Sequence, residues 1–328
     1  MTTRLKIAVG AYDRTLPLMA GLIGIDNVAA DYVTAPLEEI FARAFDDHAY
    51  DITELSFSNY LFLTSTGNCP YIGLPVFPSR SFRHSAIFIR TDRNIRGPRD
   101  LVGRTVGVRE FSMTAALVAR GVLEDDFGVR AADVRWRYGP ADAGDSHPIV
   151  RMKPHDVELK PLADGSNLSD ALRDGDIDAL VAYKPPLAFL DGAPHVGRLF
   201  VDYDVIEADY ARRTGIFPIM HLLGIQREIA ERNPELCLRV CDAFEASRRY
   251  AVERTSESQA PFTSLPWAPN EAARSRQVLG DNFWTYGVDA NRLALASLCN
   301  YSFAQGISNR LVMVDELFVP ATLGWTPS

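Results

Sequence analysis

Cysteine is scarce and poorly placed for chemistry. The four residues in a chain of 328, Cys69, Cys237, Cys241 and Cys299, form no CxxC pair and have no metal-spaced histidine nearby, which argues against a metal or redox centre built on thiols. Cys237 and Cys241 lie four apart in a helical stretch, on one face, and read as buried thiols. No apolar run approaches the ~20 residues needed to span a bilayer, so no membrane partner is expected. Lys/Arg blocks are also missing, and the net charge of −8 repels phosphate backbones, which removes nucleic acid as a partner. No GxSxG elbow, P-loop, GxGxxG or HExxH occurs, so hydride transfer, phosphoryl transfer and zinc proteolysis lose support. The start, Met1-Thr2-Thr3-Arg4, runs into a strand without the apolar stretch of a secretory signal; the expected location is cytoplasmic.

What is present is ordinary globular material: 47% hydrophobic and 23% charged residues, enough for about two domains. Strand and helix patterns alternate. Leu5–Val9, Val28–Val33 and Asp51–Leu55 read as strands, and Leu37–Phe45 reads as a helix. A second series opens with strand Thr105–Val108 and a helix from Ser112 to Leu123. The pattern Tyr50-Asp51-Ile52-Thr53-Glu54-Leu55 returns as Gly175-Asp176-Ile177-Asp178-Ala179-Leu180, an aspartate before a buried strand each time. Phe217–Leu223 reads as a return crossing, and Pro234–Glu253 and Asp289–Gln305 carry helical periodicity, the latter ended by Gly306. The segment from Gly139 to Asp156 lacks periodicity and reads as a surface excursion. The expectation is an α/β protein of two lobes joined by two crossing segments with a ligand cleft between them. Residues 1–88 and 217–328 form lobe one and 89–216 form lobe two.

Ligands of open α/β sheets bind beyond the carboxyl ends of the strands. That rule selects Tyr12-Asp13-Arg14 and Glu54-Leu55-Ser56-Phe57-Ser58 in lobe one, and Arg109 to Thr114 with Tyr183-Lys184 in lobe two. Arg80 and Arg83, interleaved with Phe77, Pro78 and Phe82, suit one wall of an anion site, since a guanidinium meets a carboxylate through two parallel hydrogen bonds. Ser112 and Thr114, at a helix start, offer hydroxyls and amides to a second anionic group, or plain caps. His84 and His221 fall on the two crossings and are the candidate titrating groups, ahead of His48, His147, His155 and His195. Glu54 and Asp13 are candidate bases.

Several long segments carry a family resemblance. Tyr12–Thr15, Tyr50–Ser58, Gly73–Ser85, Thr214–His221 and Tyr301–Arg310 resemble the pattern of the 4,5-dihydroxyphthalate decarboxylases over almost the whole chain. The resemblance implies a type 2 periplasmic-binding-protein-like fold and the non-oxidative loss of CO2 from a hydroxylated aromatic dicarboxylic acid, giving 3,4-dihydroxybenzoate. That fold also hosts solute-binding modules and dehydratase or synthase enzymes, which stay as alternatives.

Such a reaction needs an acid to protonate the ring and a base for the phenol. His84 or His221 is the expected acid; Glu54, Asp13 or the other histidine is the expected base. Arg14, Arg80 and Arg83 are expected to hold the carboxylate that stays, because a clamp on the departing one would stabilise substrate over transition state. Ser56, Ser58, Arg109, Ser112, Thr114 and Lys184 complete the candidate substrate contacts, with Phe57, Phe82 or Phe111 facing the leaving group. No organic cofactor is required. A divalent metal on His84 and His221 with a carboxylate is the variant, and a homo-oligomer is left open.

Overall fold

A computed structural model describes residues 3–145, 154 and 156–327. His147 and His155 lie outside the described residues, as does most of the second half of the Gly139–Asp156 excursion. The first four strands are β1 (Thr3–Ala8), β2 (Val28–Val33), β3 (Ile52–Ser56) and β4 (Tyr71–Arg80). Then come β5 (Ile87–Arg90), β6 (Thr105–Val108), β7 (Arg135–Tyr138), β8 (Leu159–Pro161), β9 (Ala179–Val181), β10 (Val196–Arg198) and β11 (Ile219–Gln226).

The chain divides into two compact units. The first contains residues 1–81, 211–296 and 312–328, around a sheet of order β2-β1-β3-β11-β4. Here β1 is parallel to β2 and β3, while β11 runs antiparallel to β3 and β4. The second unit contains 82–210 and 297–311, around the order β10-β5-β9-β6-β7-β8, with β5 antiparallel to both of its neighbours. Its core packs Phe88, Leu168, Leu172, Ile177 and Leu180 together. No helix among the described residues is long and apolar enough to cross a membrane.

These boundaries differ from the expected 1–88/217–328 and 89–216 division. Phe82 and His84 pack edge-on against the Tyr210 ring, so they belong to the second unit. Helix Arg292–Ala304 was expected to complete lobe one, yet its later turns serve the second unit. Tyr301 lies against Gly121, where an added Cβ would come within 2.4 Å of its ring, and Gln305 bonds buried Arg120. The chain therefore passes between the units four times, not twice.

The internal repeat is real in structure but displaced by two residues. Asp51 accepts the Lys6 N–H (2.7 Å) and returns its own N–H to Lys6 O, which registers β3 beside β1. Asp178 does the same for Thr105 (2.9 Å), registering β9 beside β6. The counterpart of Asp51 is thus Asp178 rather than Asp176. The aspartate recurs because one carboxylate satisfies the N–H left open where a parallel ladder starts.

Helix Leu37–Asp47 buries Ile40, Ala44 and Phe45 and stops at His48 in the left-handed region (φ 52°), a turn position. His195 occupies another, at φ 63°. Helix Pro234–Arg254 starts under an Asn233 cap on Leu236 N and buries Cys237 and Cys241 on one face, as their spacing predicts. All four cysteines are buried and none forms a disulfide among the described residues.

Candidate active site

Strand β3 is buried at all five positions between β1 and β11, and one of those positions holds the ionisable side chain of Glu54. A carboxylate there must be paired or neutral. Three donors meet it: Gly10 N–H on Oε2 (2.9 Å), Tyr12 O–H on Oε1 (2.8 Å) and His221 Nδ1 on Oε1 (2.6 Å). Burial alone would raise the Glu54 carboxyl. The hydrogen bond and charge of His221, with the Gly10 and Tyr12 bonds, outweigh it and hold the group below its ordinary range.

This arrangement follows from topology. From β1 the chain goes to β2 on one side and returns to β3 on the other, so the carboxyl ends of β1 and β3 form a switch point. β11 enters antiparallel and pairs His221 with Ser56. The carboxylate accepts Nδ1–H and so fixes the tautomer, with Nε2 as the ring nitrogen that Glu54 does not hold. The ring keeps 16% of its side-chain surface in solvent and meets Phe41 edge-on at 4.9 Å.

The loop after β1 is tied by buried Thr15, whose hydroxyl donates to Gly10 O (2.6 Å) and accepts from Tyr12 N (2.9 Å). Tyr12 folds back over Gly10, where a Cβ would lie 2.5 Å from the tyrosine ring. Gly10→Ala is expected to displace Tyr12 and cost about 1–3 kcal/mol, read as a lower denaturation midpoint with reduced turnover; unchanged stability and turnover would contradict the close approach.

Arg14 is sandwiched between the Tyr12 ring (4.2 Å) and the Trp284 ring (4.1 Å). Its Nε donates to Pro78 O (2.6 Å) and its Nη1 to Asp13 Oδ1 (2.9 Å), while Trp284 is fixed by donating to Phe77 O (3.1 Å). Among the described residues no hydrogen-bond acceptor occupies Nη2, so a pre-oriented cation remains for an anion. Tyr12 thus has Glu54 and His221 at its hydroxyl and Arg14 on its face.

Several expected roles change. Arg80 was expected to anchor a ligand, but its terminal nitrogens are taken by Phe217 O (2.9 Å), Thr285 O (2.7 Å) and Asn291 Oδ1. Burial pushes it down to about 9, and it acts as a brace for the end of β4. Asp13, an expected base, is a half-exposed partner of Arg14. Glu54, another expected base, is enclosed by three donors, His221 among them. Ser56 sits at the N-cap of helix Phe57–Thr66 without a side-chain cap bond; Ser58 is buried in its first turn.

The second unit holds the other candidates. His84 is 1% exposed and packed against Phe200 (5.4 Å) and Tyr210 (5.3 Å), with Glu207 at 4.0 Å. It belongs to a different unit from His221, and its surroundings are those of a core histidine. Burial lowers Arg83 to about 10, while the charge of Glu207 acts the other way. Lys184 was expected to meet substrate, but it pairs with Asp142 (3.2 Å) and Asp145 (3.6 Å). Asp142 itself is buried, while Ala143 and Gly144 beside it are exposed. Arg109, Ser112 and Thr114 are buried where β6 ends, and the helix begins at Thr114 with Met113 as N-cap. Among the described residues no three His, Cys, Asp or Glu side chains group as a metal site requires.

Sequence reasoning selected Tyr12 as part of its loop without giving it a role, and missed Gly10 and Trp284. Tyr12 and Gly10 stand in the loop that the strand-end rule selects, which was the available signal. Trp284 reaches Arg14 from 270 residues away in the chain and left none.

No family model matches the chain. The chain is 40% identical over 321 residues to the 4,5-dihydroxyphthalate decarboxylase of Comamonas testosteroni, spanning 98% of this chain and 97% of that protein. It is 42% identical over 209 residues to the Pseudomonas putida protein of the same name, across 63% and 81% of the two chains. Among solved structures, the periplasmic aliphatic sulphonate binding protein SsuA of Escherichia coli aligns over 99% of this chain and 100% of its own, with TM-score 0.56 and 13% identity. The desulfurization enzyme DSZB aligns over 98% and 97%, with TM-score 0.57 and 16% identity. Likeness at such identity concerns the fold, which is type 2 periplasmic-binding-protein-like and serves carriers and enzymes alike. The family rests on the sequence relatives, of which the Comamonas testosteroni protein matches nearly the whole chain: this protein belongs to the 4,5-dihydroxyphthalate decarboxylases.

Proposed function

We propose that this chain is a carboxy-lyase that converts 4,5-dihydroxyphthalate to 3,4-dihydroxybenzoate and CO2, with His221 as the proton donor and Arg14 as the anchor of the carboxylate that stays. The observation that carries this reading is the pairing of His221 with buried Glu54 beside a pre-oriented arginine, in a member of this family.

The chemistry follows from the substrate. Each carboxylate of the ring has a hydroxyl para to it, which feeds electron density toward the carbon that must be protonated. His221 Nε2–H delivers a proton to that carbon. The carbon–carbon bond then breaks, its electron pair restores the aromatic ring, and CO2 leaves neutral. Glu54 holds Nδ1–H and stabilises the imidazolium before transfer. His221 recovers its proton from solvent, so one proton is consumed per turnover.

Arg14 acts on the spectator group, because gripping the departing carboxylate would favour the ground state. The reading requires no organic cofactor, since the protonated ring carries the electron demand. Four buried cysteines outside any disulfide suit a reducing compartment, which supports a cytoplasmic location.

The test is incubation of the purified protein with 4,5-dihydroxyphthalate while CO2 and the ring spectrum are followed. Stoichiometric CO2 and 3,4-dihydroxybenzoate are expected. A ligand that raises the melting temperature yet stays intact would instead identify a solute-binding module. Arg14→Ala is expected to raise KM about 10- to 100-fold, the loss of a hydrogen bond to a charged group, with kcat within about threefold. A fall in kcat at constant KM would contradict the anchor role.

A further inference from the structure

We infer that Tyr12 is a positioning residue that sets the separation between the carboxylate anchor and the proton donor, and thereby selects substrates whose two carboxylates sit on neighbouring ring carbons. The inference rests on the proposed roles of Arg14 and His221. One side chain touches both halves of the site. Its ring face carries the Arg14 guanidinium at 4.2 Å, and its hydroxyl donates to Glu54 at 2.8 Å, the same oxygen that holds His221. Tyr12 is itself immobilised through Thr15 and by its passage over Gly10, where only a hydrogen fits. Burial and the adjacent Glu54 carboxylate raise the Tyr12 phenol far above its ordinary range, so it stays a donor throughout the working pH.

Geometry turns this into specificity. In a vicinal dicarboxylate the carbon to be protonated lies two bonds from the anchored carboxylate carbon. In a 1,3-dicarboxylate it lies three bonds away, on another bearing. A rigid ring between anchor and donor holds their spacing to one of these cases, because stacking and hydrogen bonding fix both ends of the same side chain.

The experiment compares wild type, Tyr12→Phe and Tyr12→Leu, with Arg14→Ala and His221→Asn in the same assay. Substrates are 4,5-dihydroxyphthalate and a dihydroxylated benzene-1,3-dicarboxylate. Tyr12→Phe keeps the ring and loses the hydroxyl; kcat on the vicinal substrate should fall about tenfold, as for one charge-assisted hydrogen bond, with KM nearly unchanged. Tyr12→Leu removes both ends, so KM should rise too and the preference for the vicinal substrate should shrink about tenfold or more. A merely structural role would lower turnover of both substrates in proportion, and that result overturns the inference. So does a Tyr12→Phe enzyme with wild-type kcat, a reading that survives even if Tyr12→Leu does not fold. Wild-type behaviour of Arg14→Ala and His221→Asn would instead mark failure of the proposed roles beneath it.

Discussion

His221→Asn should reduce kcat by about 100- to 10,000-fold, the usual contribution of a positioned general acid, while the substrate-induced rise in melting temperature is largely kept. Asparagine retains an N–H to meet Glu54 but has no nitrogen that takes up a proton near neutrality. The replacement therefore separates proton delivery from the structural service His221 gives to a buried carboxylate. Alanine at the same place removes both and should cost stability as well. His84→Ala offers the contrast: enclosed by Phe200 and Tyr210, it should lose stability as a cavity forms, with kcat of the remaining folded protein little altered. If His84→Ala abolishes turnover and His221→Asn does not, the two histidines have been assigned in reverse.

Glu54→Ala carries the second large effect, on stability and rate together. Deleting one member of a buried, hydrogen-bonded pair typically costs about 3–5 kcal/mol, and here Gly10 N–H, Tyr12 O–H and His221 all lose their acceptor. Denaturation midpoints should fall accordingly, and kcat should fall because His221 no longer has a fixed tautomer. Glu54→Gln keeps the volume and tests the charge alone. The folded-state pKa of Glu54 is depressed below its ordinary 4.5. Its contribution to stability is therefore fully present above about pH 4.5 and is lost as pH falls through the lower folded value. Wild type should lose melting temperature steeply in that acid window, and Glu54→Gln should lose less. Parallel curves would show that Glu54 is not ionised in the folded protein.

Much of this site was legible in the sequence, for physical reasons that also explain where reading stopped. Glu54 stood out as a carboxylate at the carboxyl end of a strand, and His221 as a histidine in an extended segment returning to the first sheet. Both signals are local. Arg80 was read as part of a partly buried wall of an anion site; Phe77 and Arg80 are both buried, but the partners of the guanidinium were not visible. Its guanidinium is consumed by acceptors 205 and 211 residues further along, and no local pattern encodes such closure. Burial of an arginine says only that partners exist. The partners here are carbonyls and an amide, which fasten a strand end.

The same limit governed the unit boundaries. Helix Arg292–Ala304 shows ordinary helical periodicity, and nothing in it states that Tyr301 and Gln305 pack against Gly121 and Arg120. Repeats fare better, because they are written twice. The aspartate motif was found by its spacing, and only hydrogen bonds to Lys6 and Thr105 could show that Asp178, two residues later, is the structural equal of Asp51. Tyr12 is the instructive case. The strand-end rule selects its loop but gives the residue no role, which comes into view only with Arg14 on its ring face and Glu54, the partner of His221, at its hydroxyl.

The central claim is that His221 hands a proton to the ring carbon that loses CO2. Its most direct test is the rate of CO2 release from 4,5-dihydroxyphthalate by wild type and by His221→Asn, each shown to be folded and to bind the substrate. The account predicts stoichiometric CO2 and 3,4-dihydroxybenzoate from wild type, and at least about a 100-fold slower release from the variant at saturating substrate. Release by His221→Asn at the wild-type rate would contradict it.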